Sequence, residues 1–252
     1  MQTAGRTALL TGATGGLGKA IATALADRGA ALVLSGRDRA ALEELAESLP
    51  GDGHRALVAD LGEPDAGERL AAEAGPVDVF VANAGLPGSG APTDFSPEEL
   101  RRVTRVNLEA PILTAQALLP GMVERGEGHM AFVSSLSGKA AAPESSLYNA
   151  TKFGIRGFAL GLAADLRPKG VGVSVISPGY VRDAGMFAAA GIDPPPGRGT
   201  VSPRQVGHAV VRAIEQNKVE VVVAGAPHRA IAHLSLASPG LAARVQGAPS
   251  GG

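Results

Sequence analysis

The chain has 252 residues, a formal net charge of −1, no cysteine, 35 glycines and 18 prolines. The lack of cysteine excludes disulfides, cysteine-ligated zinc or iron–sulfur sites and a cysteine nucleophile. The charge is near zero and no apolar run reaches the roughly 18 residues of a membrane span, so we expect neither a nucleic acid partner nor stable membrane insertion. The chain begins with an apolar strand rather than a signal peptide pattern, which predicts a cytoplasmic protein.

Short apolar runs alternate with longer helical patterns along almost the whole chain. The runs are continuous rather than alternating, as in strands buried on both faces; the predicted strands are Thr7–Thr11, Ala31–Ser35, Arg55–Val58, Val77–Val81, Met130–Ser134, Val171–Ser177 and Glu220–Val223. Predicted helices include Leu17–Asp27, Arg39–Ser48 and Ser145–Leu166. This order implies right-handed βαβ crossovers, and therefore one α/β domain with a doubly wound, seven-stranded parallel sheet.

Serine and proline mark the start of two further helices. Ser96 is followed by a proline, with Glu99 three residues on, which is the pattern of a capping box at the head of a long helix. Ser202 begins another helix in the same way. No repeat, low-complexity block or linker divides the chain, so we predict one domain over residues 1–225.

Two segments interrupt the alternation of strands and helices. Residues 183–200 combine small apolar residues with a triple proline, and we expect a flexible lid there, with Met186 and Phe187 facing the substrate. Residues 226–252 form a C-terminal tail with spaced apolar residues that Pro239 interrupts. We interpret this tail as a packing or oligomer contact; the alternative is an amphipathic segment at a membrane surface.

The first strand runs into a glycine-rich turn, Thr11-Gly-Ala-Thr-Gly-Gly-Leu-Gly18. Glycines let the backbone turn tightly and approach a pyrophosphate, and the following helix N-terminus attracts negative charge. The turn has no second glycine where the strict G-x-G-x-x-G pattern needs one, and no Gly-Lys-Ser/Thr of a P-loop. We predict a dinucleotide site rather than a plain tight turn, formed by Gly12, Thr14, Gly16, Leu17 and Gly18.

The second strand ends in a sequence that bears on the choice of cofactor. An NAD site has a carboxylate at this strand end for the ribose 2′-hydroxyl, whereas Gly36 and then Arg37 stand here. An arginine can pair with the 2′-phosphate of NADP, so the sequence favours NADP(H) over NAD(H). The adjacent Asp38 keeps an NAD-linked enzyme open as the alternative.

A tyrosine and a lysine, Tyr148 and Lys152, lie four residues apart in a predicted helix and therefore share one face. Tyrosine normally titrates near pH 10, too high for an efficient proton donor at neutral pH. An ammonium group one turn away stabilises the phenolate and is expected to lower the pKa of the tyrosine. The alternative is an ordinary surface pair.

The order of motifs along the chain resembles that of the short-chain dehydrogenase/reductase family. Ser135 ends a strand 13 residues before Tyr148, Asn83-Ala-Gly85 follows the fourth strand, and Asn107 lies in the long fourth helix. Together with the glycine turn, and with Pro178-Gly179 after the sixth strand, these motifs resemble the family from about Thr7 to Val223. The resemblance implies a Rossmann fold and hydride transfer between NADP(H) and the carbonyl or alcohol group of a small molecule.

The resemblance also implies a role for each matching residue. Tyr148 is the expected general acid in reduction, Lys152 lowers its pKa and binds the nicotinamide ribose, Ser135 holds the substrate oxygen, and Asn107 orders a water that links Lys152 to solvent. Asp60 is expected to contact adenine, and Asn83 to support both the cofactor and the sheet. The expected cofactor-binding set is completed by Arg37, Leu61, Ala84, Gly85, Pro178, Gly179 and Val181.

Several features depart from the family pattern. Asp183 stands where a threonine usually contacts the carboxamide, and the usual glycine pair after the last strand is absent. That ending carries a common tetramer contact, so we expect a homodimer through the fourth and fifth helices, with a homotetramer as the alternative. Gly15 permits a second reading of the turn, typical of the extended branch of epimerases and dehydratases, but 252 residues leave no room for that branch's larger C-terminal region.

Other kinds of site find little support in the sequence. The five histidines show no paired-ligand spacing, so we expect no metal site. There is no G-x-S-x-G elbow of a hydrolase. We therefore predict an NADP-dependent oxidoreductase of an apolar carbonyl or alcohol; the alternatives are an NAD-linked alcohol dehydrogenase and a non-catalytic NADP sensor.

Overall fold

The computed structural model describes residues 1–182, 199–238 and 240. Their strands form one parallel sheet in the order β3-β2-β1-β4-β5-β6-β7. The strands are β1 (Thr7–Thr11), β2 (Ala31–Gly36), β3 (Arg55–Val58), β4 (Val79–Ala82), β5 (Gly128–Val133), β6 (Val171–Pro178) and β7 (Glu220–Val223). The predicted seven-stranded parallel sheet is confirmed, and three strands have the predicted bounds.

Helices cover both faces of this sheet. In chain order they are α1 (Gly16–Ala26), α2 (Arg39–Ser48), α3 (Ala66–Ala74), α4 (Pro97–Thr104), α5 (Ala110–Arg125), α6 (Ser146–Leu166), α7 (Pro203–Glu215) and α8 (Ala226–Ala237). None of these described helices is both long and apolar enough to cross a membrane. The doubly wound Rossmann fold expected from the sequence is confirmed.

The sheet separates two hydrophobic cores because successive side chains of a strand point to opposite faces. Leu10 packs into the core formed with α1, α2 and α7, whereas its neighbour Leu9 packs into the core formed with α3, α5 and α6. The second core contains Phe80, Phe132 and Phe158 in successive edge-to-face contacts. Burial on both faces explains why the strands are continuous apolar runs in the sequence.

The long helix predicted after Ser96 is interrupted. The capping box is present, since the Ser96 hydroxyl accepts from the Glu99 N–H and the Glu99 carboxylate accepts from the Ser96 N–H. After α4, however, residues Arg105–Glu109 form a π turn before α5 begins. This single wide turn rotates the residues that follow it, and it contains Asn107.

The direction of strand order reverses between β1 and β4. From β1 the chain moves outward to β2 and β3, and then returns so that β4 pairs with the other edge of β1. In open α/β sheets a reversal of this kind leaves a crevice at the carboxyl ends of the strands, where ligands bind. The fold therefore predicts the site beyond the ends of β1 and β4.

Part of the predicted lid and tail lies outside the described residues, including Asp183, Met186, Phe187 and Pro239. On either side of residues 183–198 the chain is held together, because Val181 and Val201 form a parallel bridge and the Arg182 N–H donates to the Val201 carbonyl. In the tail, α8 buries Ala232 and Ser235. The division into a domain of residues 1–225 and a packing tail stays a prediction.

Replacing Gly207 by alanine is expected to destabilise the fold. A Cβ atom at this position of α7 would overlap the carbonyl oxygen of Ala20 in α1. Overpacking of this kind costs about 1–3 kcal/mol of unfolding free energy, measurable by urea denaturation. Gly225→Ala is the control, since its Cβ would lie 3.8 Å from Pro227, an ordinary contact. Equal stability of the two variants would contradict the close packing of α1 on α7.

Candidate active site

A cleft of about 780 Å³ lies beyond the carboxyl ends of β1 and β4, where the fold predicts it. Most of the residues singled out from the sequence line it: Gly12, Thr14, Gly16, Leu17, Gly18, Arg37, Asp60, Leu61, Asn83, Ala84, Gly85, Tyr148 and Lys152. The cleft is also lined by residues that sequence reasoning missed, among them Leu86, Pro87 and Arg102. The glycine turn and the Tyr–Lys pair, 130 residues apart in the chain, therefore belong to one cavity.

The glycine turn forms a bare backbone cradle at one end of the cleft. Gly12 has a φ of +64°, and a Cβ atom there would lie 2.8 Å from the Cα of Ala84. At Gly18 a Cβ would overlap the carbonyl of Gly12. The N-cap of α1 is Gly15, which has no side chain to satisfy the first N–H groups of the helix. A pyrophosphate fits this cradle, because it accepts hydrogen bonds from free N–H groups and is attracted by the helix dipole.

The turn is fixed to the segment after β4 by a group of hydrogen bonds. The Thr11 hydroxyl accepts from the N–H groups of Asn83 (3.0 Å) and Ala84 (3.1 Å). In return, the Asn83 side-chain amide donates to the carbonyls of Thr11 (3.0 Å) and Gly12 (3.1 Å). Asn83 thus joins the ends of β1 and β4 at the reversal point.

Arg37 and Asp38 have different roles at the end of β2. The Asp38 carboxylate caps α2 by accepting from the Ala41 N–H (3.2 Å), so it is engaged by the protein backbone. Arg37 is exposed and lines the cleft, and it has no hydrogen bond or salt bridge to any described residue. Thr14 lies beside Gly36, with its hydroxyl 3.5 Å from the position of a Cβ there. This end of the cleft therefore presents a cation and a hydroxyl rather than a carboxylate.

Asp60 is held by an arginine that the sequence did not single out. The Asp60 carboxylate accepts from the Arg102 guanidinium (2.8 and 3.1 Å) and from the Gly62 N–H (2.8 Å). Partial burial raises the pKa of Asp60, but these hydrogen bonds and the charges of Arg102 and Arg37 outweigh it and hold the pKa below its ordinary value. Arg102 belongs to none of the motifs in the sequence, so no sequence signal pointed to it.

Tyr148 and Lys152 lie on the cleft side of α6, as their spacing predicts. The Lys152 ammonium is buried, donates to the Val133 carbonyl (3.0 Å) and lies 5.6 Å from the centre of the Tyr148 ring. The Ser135 side chain lies near enough to the Tyr148 hydroxyl to lower the pKa of the tyrosine. Ser135 follows β5, and its hydroxyl also accepts from the Ser137 N–H (3.1 Å). Three polar groups from two elements are therefore brought together at one point.

Burial dominates the acid–base properties of this pair. It raises the pKa of Tyr148 to about 12, although the hydrogen bond with Ser135 acts in the opposite direction. It also lowers the pKa of Lys152 to about 8. The lowered tyrosine pKa expected from the sequence is therefore not found for the chain alone, because desolvation of the phenolate is the dominant influence on Tyr148. At neutral pH Tyr148 carries its proton.

Asn107 lies in the π turn and fixes the backbone that follows β4. Its side-chain oxygen accepts from the Leu86 N–H (2.7 Å) and its amide donates to the Leu86 carbonyl (2.9 Å) and the Thr151 hydroxyl (3.3 Å). A small cavity of about 10 Å³, near the lower limit for one water, is lined by both Asn107 and Lys152. The predicted water-ordering role stays a prediction, and the side chain has a structural role that the sequence did not reveal.

Pro178, Gly179 and Val181 are placed beside the cleft rather than in the wall described above. Pro178 ends β6, and the Gly179 N–H donates to the Val223 carbonyl of β7 (2.9 Å). A Cβ on Gly179 would lie 3.3 Å from a methyl carbon of Leu136, in the short 3₁₀ turn after Ser135.

No group of three or more metal-ligating side chains occurs among the described residues.

Comparison with known proteins gives a consistent result. The short chain dehydrogenase family matches residues 6–193. The chain is 34% identical to the ketoacyl reductase HetN of Nostoc sp. (87% of this chain, 78% of that protein) and 35% identical to dehydrogenase/reductase SDR family member 7B of Bos taurus (94% and 79%). Among solved structures, it resembles a short-chain dehydrogenase from Sphingobium yanoikuyae in complex with NADPH, with 27% identity, a TM-score of 0.79 and 98% of each chain covered.

The family match extends from the start of β1 to beyond β6, and so includes the glycine turn, the Ser135 segment and the Tyr–Lys helix face. Both curated relatives align over more than four fifths of this chain. The chain belongs to the short-chain dehydrogenase/reductase family and is an oxidoreductase that acts on CH–OH or C=O groups.

Proposed function

We propose that the chain is an NADP-dependent carbonyl reductase, or in reverse an alcohol dehydrogenase, with Ser135, Tyr148, Lys152 and Asn107 as its catalytic centre. The observation that carries the proposal is that Tyr148 and Lys152 both line the cleft, with the Lys152 ammonium 5.6 Å from the centre of the Tyr148 ring and the Ser135 segment held against α6 beside them. Two hydroxyls at one point of a cleft can both hold the oxygen of a carbonyl. A protein that only senses a nucleotide has no need of this arrangement.

The chemistry needs one hydride and one proton. A bound nicotinamide cofactor supplies the hydride to the carbonyl carbon. In our proposal, Ser135 donates a hydrogen bond to the substrate oxygen and Tyr148 gives it a proton as negative charge develops there. Tyr148 carries its proton at neutral pH, but the raised pKa makes it a weaker acid, and we propose that the Lys152 ammonium offsets this by stabilising the phenolate.

Lys152 has two proposed tasks. Its ammonium lies close enough to the Tyr148 ring to stabilise the phenolate left after proton transfer. It also lies 3.7 Å from the position that a Cβ on Gly85 would take, beside the open backbone at which we propose the nicotinamide ribose binds. Asn107, on the other side of Gly85, is proposed to order a water that returns a proton through Lys152 from solvent.

The remaining cofactor contacts follow the length of the cleft. We propose that the cradle of Gly12, Thr14, Gly16, Leu17 and Gly18 binds the pyrophosphate, and that Asp60, Leu61, Asn83 and Ala84 contact the adenosine. Pro178, Gly179 and Val181, near Leu136, are proposed to support the nicotinamide. The free N–H groups at the start of α1 and the glycines of the cradle support placing the pyrophosphate at this end of the cleft.

NADP(H) is the proposed cofactor rather than NAD(H). Arg37 has no salt bridge among the described residues, and the neighbouring Asp38 is engaged in capping α2. A free guanidinium pairs with a 2′-phosphate, whereas no free carboxylate is present at this strand end for a 2′-hydroxyl. Two similar solved structures, the short-chain dehydrogenase from Sphingobium yanoikuyae and a metagenomic short-chain oxidoreductase, are complexes with NADPH and NADP, respectively.

The substrate is proposed to be an apolar ketone or secondary alcohol. Leu86 and Pro87 line the cleft beside Tyr148, and they offer apolar surface where the substrate would enter. One curated relative is named a ketoacyl reductase, whose name indicates a ketone on an acyl chain. A screen of NADPH consumption over ketones, aldehydes and ketoacyl thioesters identifies the substrate.

Tyr148→Phe tests the proposed chemistry. Removing the phenolic hydroxyl deletes the proton donor, so turnover of a carbonyl substrate is expected to fall by roughly 10²–10⁴-fold. Binding of NADPH, titrated by its fluorescence, is expected to stay within about twofold of the parent, since the ring remains in place. Parental turnover in a folded Tyr148→Phe variant would refute the role of Tyr148.

Arg37→Ala tests the cofactor preference. Loss of a charge-assisted hydrogen bond to the 2′-phosphate is expected to raise the KM for NADPH by roughly tenfold or more, with the KM for NADH almost unchanged. Arg39→Ala is the matched control, because this exposed arginine pairs with Glu43 (3.6 Å) on α2. Equal kinetics of the parent with NADPH and NADH, or an equal effect of both substitutions, would contradict the proposed pairing.

We also propose a homodimer formed through α5 and the outer face of α6. These helices correspond to the second part of the fourth helix and to the fifth helix that the sequence predicts. Phe153 is 38% exposed on α6, and nothing lies within 4 Å of a Cβ at Gly157 or Gly161, so these positions form an open stripe at helical spacing. A helix from a second copy could pack closely on this stripe. A homotetramer would need a second contact surface.

Gly157→Glu tests that dimer. A carboxylate on the stripe would be buried between the two copies, so sedimentation is expected to change from a dimer of the 25.2 kDa chain to a monomer. Ala72→Glu, on the exposed face of α3, is the control and is expected to leave the dimer intact. A dimeric Gly157→Glu variant, or a monomeric parent, would rule out this interface.

A further inference from the structure

Three charged side chains meet behind the proposed catalytic residues. The Lys139 ammonium contacts one oxygen of Glu220 (2.7 Å), and the Arg156 guanidinium contacts both (2.7 and 3.3 Å). The Lys139 side chain is only 2% exposed. Neither the sequence motifs nor the proposed chemistry uses any of these residues.

The three residues come from the three elements that surround the catalytic groups. Lys139 ends the short segment that begins at Ser135, and Arg156 lies one helical turn after Lys152 on α6. Glu220 begins β7, where it pairs in register with Val175 of β6. A single carboxylate on the last strand therefore holds both the Ser135 segment and the helix that carries Tyr148.

The Ser135 segment and α6 also approach each other closely at their backbones. The Ser134 hydroxyl donates to the Lys152 carbonyl (2.9 Å), and a Cβ on Gly138 would lie 2.5 Å from that carbonyl. This contact fixes the distance between the two elements near Lys152. The charged group fixes a second point beyond it, and two fixed points restrict how the Ser135 segment can move relative to α6.

The carboxylate of Glu220 is essential to this second point. The Lys139 ammonium has no other hydrogen bond or salt bridge to a described residue, so without Glu220 it would be buried and unpaired. Partial burial raises the pKa of Glu220, but the hydrogen bonds and charges of Arg156 and Lys139 outweigh it and hold the pKa below its ordinary value. The Glu220 carboxylate therefore stays charged over the neutral range.

We propose that Glu220 is a positioning residue for the reaction, acting through Lys139 and Arg156 to hold the Ser135 hydroxyl against the Tyr148 hydroxyl. The proposal rests on the function proposed above for these two hydroxyls. Glu220 touches neither of them, so its effect is on their geometry. A misplacement of about 1 Å in reacting groups costs up to roughly 100-fold in rate.

The chain offers a matched control at the opposite end of the sheet. Glu127, just before β5, accepts from the Arg6 guanidinium at 2.7 Å, the same distance as in the Glu220 pairs. It lies at the amino end of the strands, away from the cleft. Glu127→Gln and Glu220→Gln therefore each remove one paired carboxylate, and only the second disturbs the proposed positioning.

The first measurement needs no substrate. The chain has two tyrosines, so in a Tyr180→Phe background the hydroxyl-bearing ring carbon of Tyr148 gives the single ¹³C-tyrosine signal. Its chemical shift reports the surroundings of the Tyr148 hydroxyl, including the Ser135 side chain. Glu220→Gln is expected to move this signal towards that of free tyrosine, and Glu127→Gln is expected to leave it in place.

The second measurement is turnover with NADPH, made without the Tyr180→Phe substitution. Glu220→Gln is expected to lower kcat roughly 10- to 100-fold, with the dissociation constant of NADPH within about twofold of the parent. If Glu220→Gln does not fold, Lys139→Met is used instead, because it leaves the Arg156–Glu220 pair intact. It is expected to change the signal and kcat in the same direction.

A folded Glu220→Gln or Lys139→Met variant with the parental signal and parental kcat would overturn the inference. An equal change in Glu127→Gln would overturn it too, since it would show a general effect of lost stability. If the parent itself reduces no carbonyl with NADPH, the proposed function fails, and the Tyr148 signal still decides whether Glu220 positions the two hydroxyls.

Discussion

The close approach of the turn after β1 to the segment after β4 determines the shape of the cleft. Four hydrogen bonds join the two segments, because the Thr11 hydroxyl accepts from the N–H groups of Asn83 and Ala84 and the Asn83 amide donates to the carbonyls of Thr11 and Gly12. Gly12 also lies so near Ala84 that a side chain cannot fit between them. Because these bonds satisfy backbone groups at the strand ends, the two walls cannot separate without leaving polar groups unpaired. The free N–H groups of α1 are thereby held at a fixed place relative to β4.

The same wall continues to the catalytic groups through Leu86 and Asn107. The Asn107 side chain binds both backbone groups of Leu86 and reaches Thr151 on α6, one residue before Lys152. A regular α-helix would turn each residue after Arg105 through a larger angle, so the wider π turn changes the direction in which the Asn107 side chain points, and this side chain contacts Leu86. The nucleotide cradle and the Tyr–Lys face are thus parts of one hydrogen-bonded framework.

The sequence predicted those features that depend on local pattern. Strand positions followed from apolar runs, and the shared face of Tyr148 and Lys152 followed from a four-residue spacing. It missed features that depend on which distant groups meet. The π turn at Asn107, the pairing of Arg102 with Asp60 and the raised pKa of Tyr148 all arise from packing between elements far apart in the chain. The Met186–Phe187 lid lies outside the described residues and stays a prediction.

Burial acts in opposite directions on the two titratable groups of the site. It raises the pKa of Tyr148 and lowers that of Lys152, and so it favours the neutral form of each. With values of about 12 and about 8, the tyrosine keeps its proton and the lysine its charge at pH 7. Reduction can then begin from the protonated tyrosine, whereas oxidation requires the phenolate, whose charge the adjacent ammonium partly balances. Rising pH removes the ammonium proton before the phenolic one, so a phenolate formed at high pH would lie beside a neutral lysine and lose the charge that balances it.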